Sequence, residues 1–239
     1  MKAWFNVQRE GYYPSATKQT ERRTHIAKLR KKQNPIPMYT KDVHLTFPNE
    51  NGDFGFDFFE GDLVEPYGKG IITDVVFRMT HQEKKRTHEV LFPDGNGIQL
   101  FFISKNRWGY DVGWFPFHAP ETGYYPTLEE ATGTLKEHFE NELRCEVSKI
   151  CELPGYWYWD CKVPSYEMRT YPWNTIVNYF IKIRVTGNDQ GCYGIIPCEI
   201  RFDYFSNVSR VKFTYYLNPD RSTNLEFSGE NLLKDSRKK

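Results

Sequence analysis

Two groups of rings are the residues best placed for chemistry. Trp108, Tyr110 and Trp114 stand in residues 105–126, KNRWGYDVGWFPFHAPETGYYP, where Gly, Pro and aromatics alternate without a clean period. Trp157 and Trp159 share one side of Tyr156-Trp157-Tyr158-Trp159, with the two tyrosines on the other. A flat ring with a polar tip stacks on a sugar face, a peptide or another protein surface. An edge strand buries one face, so rings on both faces leave one set available. Trp108, Tyr110, Trp114, Trp157 and Trp159 are therefore the expected ligand-binding residues. The bland alternative is that both tryptophans of the second group pack under a helix. Aromatics make 17% of the chain, which a β-rich core explains by itself.

Catalytic and metal patterns are thinner. His118 stands three residues before Glu121 and is the one candidate acid–base pair. A histidine that bonds loop backbone explains it as well. No GxSxG elbow, phosphate-binding glycine loop or HExxH motif occurs. In the acidic run from Glu50 to Glu65, Asn49, Asn51, Asp53 and Glu60 fall at calcium-loop positions 1, 3, 5 and 12. Position 6 must be glycine and is Phe54. Phe54, Phe56 and Phe58 alternate as a strand would, so the acids read as its wet edge. Cys145, Cys151, Cys161, Cys192 and Cys198 are odd in number and contain no CxxC pair, which fits buried thiols better than disulfides or zinc. No metal and no cofactor is expected.

Charge is near balance overall, +1, but unevenly spread. Residues 18–32 carry seven bases against Glu21, and residues 234–239 carry four against Asp235. The body between 33 and 233 is left at −9. A basic arm attracts phosphates, but the acidic body repels a polyanion, and no zinc-finger, RRM or KH pattern is present. Nucleic acid is disfavoured as a partner. The first 15 residues lack the apolar stretch of a signal peptide. No apolar run reaches 18 residues, so no membrane span and a cytoplasmic setting are expected.

The positioning elements are mostly strands. Val177, Tyr179, Ile181, Ile183 and Val185 step by two, as do Ile196, Cys198, Ile200, Phe202 and Tyr204, and again Val211, Phe213, Tyr215 and Leu217. Such alternation predicts an antiparallel meander over 175–217 with one buried face and one wet face. Val185, Ile200 and Phe213 should be buried, and Lys182, Arg201 and Lys212 should face water. Upstream, strands are predicted near 43–47, 54–58, 71–79, 88–92 and 98–104, the last apolar on both faces and hence central. Pro93-Asp94-Gly95-Asn96-Gly97 is a strong turn. Thr127 and Glu130 form a capping box ahead of the stripe Leu128, Ala131, Leu135, Phe139 and Leu143. Thr17 to Lys32 has the makings of a helix, stopped by Asn34-Pro35-Ile36-Pro37.

The expected fold is mainly β: an antiparallel β-sandwich or flattened barrel with one amphipathic helix, about 127–144, packed on it. An α+β arrangement of two small β units split near 117 is the alternative. The organisation is a basic arm at 1–37, one β-rich domain at 38–230 and a polar basic tail at 231–239. The leading functional expectation is a non-catalytic binding or interaction domain. It would hold an extended polymer (sugar or peptide) or a partner protein on exposed aromatics. The runner-up is a hydrolase, possibly sugar-directed, using paired carboxylates or the His118–Glu121 pair.

Overall fold

The computed structural model describes residues 4–7, 9–12, 15–18, 31–49, 51–82, 85–104, 116–132, 175–187, 191–197, 200–205 and 208–233. The fold is mainly β. In chain order the strands are β1 (Trp4–Val7), β2 (Ser15–Lys18), β3 (Ile36–Thr46), β4 (Gly52–Asp57), β5 (Asp62–Leu63), β6 (Val75–Gln82) and β7 (Lys85–Leu91). They continue as β8 (Gly97–Ser104), β9 (Thr175–Ile183), β10 (Cys192–Pro197), β11 (Arg201–Phe205), β12 (Val208–Leu217) and β13 (Phe227–Asn231).

A large sheet has the order β13-β3-β12-β10-β9-β8, with β11 also paired to β12; a smaller antiparallel sheet has the order β5-β4-β6-β7. β1 and β2 form a separate hairpin. The large sheet is mixed only because β13 runs parallel to β3. The two main sheets share one core. Phe56 meets Phe213 at 5.6 Å, Phe77 meets Phe213 at 5.9 Å, and Phe58 meets Tyr215 at 4.9 Å. These tilted and edge-on contacts are the geometry that ring quadrupoles favour.

β12 follows its sequence pattern to the letter. Val211, Phe213, Tyr215 and Leu217 are buried, and the residues between them are partly exposed. The middle strand of the expected meander is broken. Gly194 faces Leu217, yet Arg201 faces Lys212. Seven steps on one strand oppose five on the other, so the pairing with β12 loses register between Ile195 and Arg201. Pro197, which has no N–H for the ladder, ends β10 there. Ile200 and Phe213 are buried and Arg201 is exposed, as expected. Val185 is only half-buried and lies beyond β9, because the chain leaves the sheet at Arg184.

The wet face expected of β9 and β10 is covered instead. Phe180, Tyr193 and Ile195 point away from the main core and are still buried. Residues 117–125 and 218–226 lie over them and form a second cluster of Ala119, Phe180, Tyr193 and Leu225 with Phe101 and Tyr124. Backbone bonds tie these two segments together, Ala119 N–H to Thr223 O at 2.7 Å and Leu225 N–H to Phe117 O at 2.8 Å. Gly97 permits the approach: a Cβ there would stand 2.6 Å from Tyr124 Cβ. This cover also explains why β8 is apolar on both faces. β8 ends the strand order rather than lying centrally as expected.

Other expectations shift in detail. The strand expected from Ile71 begins at Val75, and the hairpin after it is tight, because β6 runs to Gln82 and β7 starts at Lys85. The turn before β8 is as expected. Asp94 and Gly95 both have positive φ, 57° and 77°, and Asn96 N–H reaches Pro93 O at 2.9 Å, a type I′ geometry. Residues 128–132 are helical, and Thr127 caps them, its Oγ1 accepting the Glu130 N–H at 3.0 Å. The rest of the expected helix lies outside the described residues. Thr17 and Lys18, where a helix was expected to begin, belong to strand β2.

The entry to β3 is latched to the far end of the chain. Glu226 is 2% exposed, and its carboxylate accepts the N–H groups of Gln33 and Asn34. Ile36 N–H donates to Glu226 O at 2.8 Å. Among the described residues no helix is long and apolar enough to cross a membrane.

Candidate functional site

At one end of the two sheets, charged residues from both converge. Asp57 closes β4, Asp74 precedes β6, and Arg184 follows β9. Arg184 lies between the two carboxylates, with Nη2 to Asp57 Oδ1 at 2.7 Å and Nε to Asp74 Oδ1 at 3.0 Å. Its guanidinium also sits 3.8 Å from the centroid of the Phe59 ring, a cation–π contact. The backbone of Arg184 is left-handed, φ 55°, a conformation that costs a non-glycine residue about 1–2 kcal/mol. The bonds around its side chain offset that cost.

Both acids are out of water: Asp57 is 2% exposed and Asp74 is fully buried. Asp57 is saturated with donors. Oδ1 accepts Phe59 N–H at 2.8 Å and Glu60 N–H at 3.2 Å besides Arg184. Oδ2 accepts Ile71 N–H at 3.0 Å and Ile72 N–H at 3.1 Å. Asp74 has less, Phe58 N–H at 2.9 Å and Arg184. Burial pushes the Asp74 carboxyl above the usual carboxylate range, and the Arg184 hydrogen bond and charge only partly oppose it. Burial likewise pushes the neighbouring Cys192 thiol up to about 11, so it stays protonated at neutral pH.

The loop held by Asp57 carries the surface feature that stands out. Tyr67, Ile71 and Ile72 are the exposed large apolar residues among those described, at 45%, 79% and 48%. The loop is fixed from below. Gly70 N–H donates to Leu63 O at 2.8 Å, Tyr67 N–H to Val64 O at 3.1 Å, and Asp74 N–H to Phe56 O at 3.0 Å. The Asp62 carboxylate accepts Leu63 N–H at 2.9 Å and Lys69 N–H at 3.2 Å. Gly68 has no room for a side chain, since a Cβ would lie 2.3 Å from Leu63 O. The Tyr67 ring leans edge-on against buried Phe54 at 5.1 Å. The result is a rigid apolar tip rimmed by exposed Glu60, Glu65 and Lys69.

Trp108, Tyr110, Trp114, Trp157 and Trp159 lie outside the described residues. His118 is exposed, and its Nδ1 lies 3.3 Å from Thr223 Oγ1. The backbone O of Glu121 accepts Lys182 Nζ at 3.2 Å, which draws Lys182 onto the covering segment rather than fully into water. His118 and Glu121 form no hydrogen bond or ion pair with each other, so the structure does not assemble them as an acid–base pair. In the acidic run, Asp53 forms a two-bond pair with Arg78, 2.8 Å each. Among the described residues no group of three His, Cys, Asp or Glu is arranged to hold a metal ion.

Sequence reasoning missed the tip because Ile71-Ile72 after Gly70 resembles the start of a strand. Asp74 three residues later was the signal against it, a charged residue breaking the apolar run before Val75. A scan against protein-family models and searches of curated proteins and solved structures gave no match.

Proposed function

We propose that the chain is a non-catalytic interaction module that docks a partner protein on the Tyr67, Ile71 and Ile72 tip. The observation that carries this reading is two adjacent isoleucines held in water by a loop whose backbone bonds are satisfied from beneath. Exposing an isoleucine forgoes about 1.5–3 kcal/mol relative to burying it. A rigid loop delivers that gain to a partner with little ordering entropy lost. Branched aliphatics favour a protein contact over a sugar, because sugar recognition relies on flat rings. The rim supplies the partner's charge. Glu60 and Glu65 against Lys69, on a body of −9, fit a surface that is apolar at its centre and basic around it. The aromatic residues expected in the sequence, Trp108, Tyr110, Trp114, Trp157 and Trp159, extend the proposal as further contacts.

The hydrolase reading finds less support. The carboxylates that converge, Asp57 and Asp74, are buried and already engaged by Arg184 and backbone N–H groups. A general acid or base must reach the proton it transfers.

The test is a photo-crosslinking amino acid placed at position 71, with position 214 on the opposite wet sheet as control. A protein captured from native extract at 71 and not at 214 is then purified and its affinity measured. Ile71→Asp should weaken that binding about tenfold or more while leaving stability within about 0.5 kcal/mol. Equal capture at both positions, or capture of lipid alone, would sink the proposal.

A further inference from the structure

Ile71 and Ile72 belong to a loop, yet both of their N–H groups end on one buried oxygen, Asp57 Oδ2. The other oxygen of that carboxylate holds Arg184 Nη2. We propose that Arg184 is a positioning residue for the tip, fixing through Asp57 the conformation in which Ile71 and Ile72 meet a partner. It rests on the reading of the tip as a contact surface, but its geometry is independent of what binds there.

Four observations support the coupling. Asp57 and Arg184 stand on different sheets, 127 residues apart in sequence, so the tip is tied to the large sheet through this ion pair. Arg184 is itself immobilised by Asp74, by the Phe59 ring and by its left-handed backbone, and so is a fixed anchor rather than a passing surface charge. Asp57 is 2% exposed, so its orientation is set by its hydrogen-bond partners and not by water. Without Arg184 the carboxylate loses its 2.7 Å charge-assisted bond at Oδ1 and can turn, which misaligns the two N–H bonds converging on Oδ2. The bonds from Gly70 N–H and Asp74 N–H bracket the tip on either side, which leaves residues 71 and 72 to Asp57.

Amide hydrogen exchange on the full ¹⁵N-labelled chain tests this directly. In the unaltered protein the Ile71 and Ile72 amides should be protected about 100-fold or more over an unstructured peptide, although their side chains are exposed. Arg184→Gln should lower protection at those two amides at least about tenfold beyond any loss at Val211 and Phe213, which report global opening. Arg184→Lys should fall between, since lysine restores charge but not the two-nitrogen fork. If Arg184→Gln does not fold, Asp74→Asn, which loosens Arg184 while sparing Asp57, should raise exchange at the same two amides by a smaller factor. Unprotected tip amides in the parent chain would overturn the proposal, as would variants that lose protection equally at the tip and at β12. A null effect of Ile71→Asp on partner binding would defeat the contact-surface reading alone and leave the exchange result to decide the coupling.

Discussion

Across β9 and β10, the outward residues Phe180, Tyr193 and Ile195 are as buried as the inward Ile181 and Ile196. Across β3, β12 and β11 of the same sheet, the outward His44, Lys212 and Arg201 sit side by side in one cross-strand row and stay wet or half-wet. Like charges opposite one another weaken a sheet. Here a neighbouring acid relieves the crowding of Lys212 and Arg201, Lys212 meeting Asp203 at 3.0 Å, and His44 lies 3.3 Å from Asp42. The strands of the two halves are alike in kind. What separates them is the connections: residues 117–125 and 218–226 cross one half and leave the other bare. Burial of a sheet's second face is a property of the loops, and strand alternation alone does not specify it.

The sharpest way to break this comparison is Phe180→Ala. It should cost about 3–5 kcal/mol, as a core truncation does, measured by the denaturant midpoint. A loss under about 1 kcal/mol would mean that the covering segments lie loosely on the sheet.

The same contrast of buried against wet applies to carboxylates. Asp53, paired with Arg78 in water, has its carboxyl held below the usual range, whereas burial holds that of Asp74 above it. An acid with a raised folded pKa stabilises the fold below its unfolded pKa and loses that contribution as pH rises toward the folded value. Asp74→Asn cannot ionise, so it should be the weaker chain at acid pH and gain on the parent as pH climbs out of the ordinary carboxylate range. Urea unfolding at a series of pH values checks this. A variant that instead falls further behind would show that Arg184 attraction outweighs burial.

A smaller effect sharpens the covered half. The Tyr193 hydroxyl is buried and has no hydrogen-bond partner among the described residues. Tyr193→Phe should therefore leave the melting temperature unchanged or raise it, by up to about 1 kcal/mol in stability, since an unsatisfied buried hydroxyl carries a penalty. Destabilisation would reveal a partner for it. Smallest of all, Lys212→Ala on the bare half should stay within about 0.5 kcal/mol, as exposed ion pairs do.

Much of the architecture was legible. The β12 pattern, the Asp94-Gly95 turn and the Thr127 cap each rest on local chemistry, and each appears as read. Where the reading failed, the cause was non-local. Asp57 stands between Phe56 and Phe58, in the phase that should face water, and is buried because Arg184 arrives from another sheet. Lys182 was placed on a wet face that residues 117–125 in fact approach. The tip was missed because its isoleucines are held out of a strand by an acid 14 and 15 residues earlier, and Asp74 was the one local sign of it. The rings singled out at 108–114 and 157–159 lie outside the described residues.

The latch between Gln33, Asn34 and Glu226 bears on the order of assembly. β3 is the first long strand made, and both of its neighbours, β12 and β13, come from residues 208–231. The bonds that fix its entry close a loop of more than 190 residues. During synthesis β3 therefore waits, unpaired, while almost the whole body emerges. Pairings this distant in sequence form slowly, and a waiting strand edge is a template for wrong partners. Expression lost when residues 208–233 are removed would follow from this delay as much as from the contacts forgone.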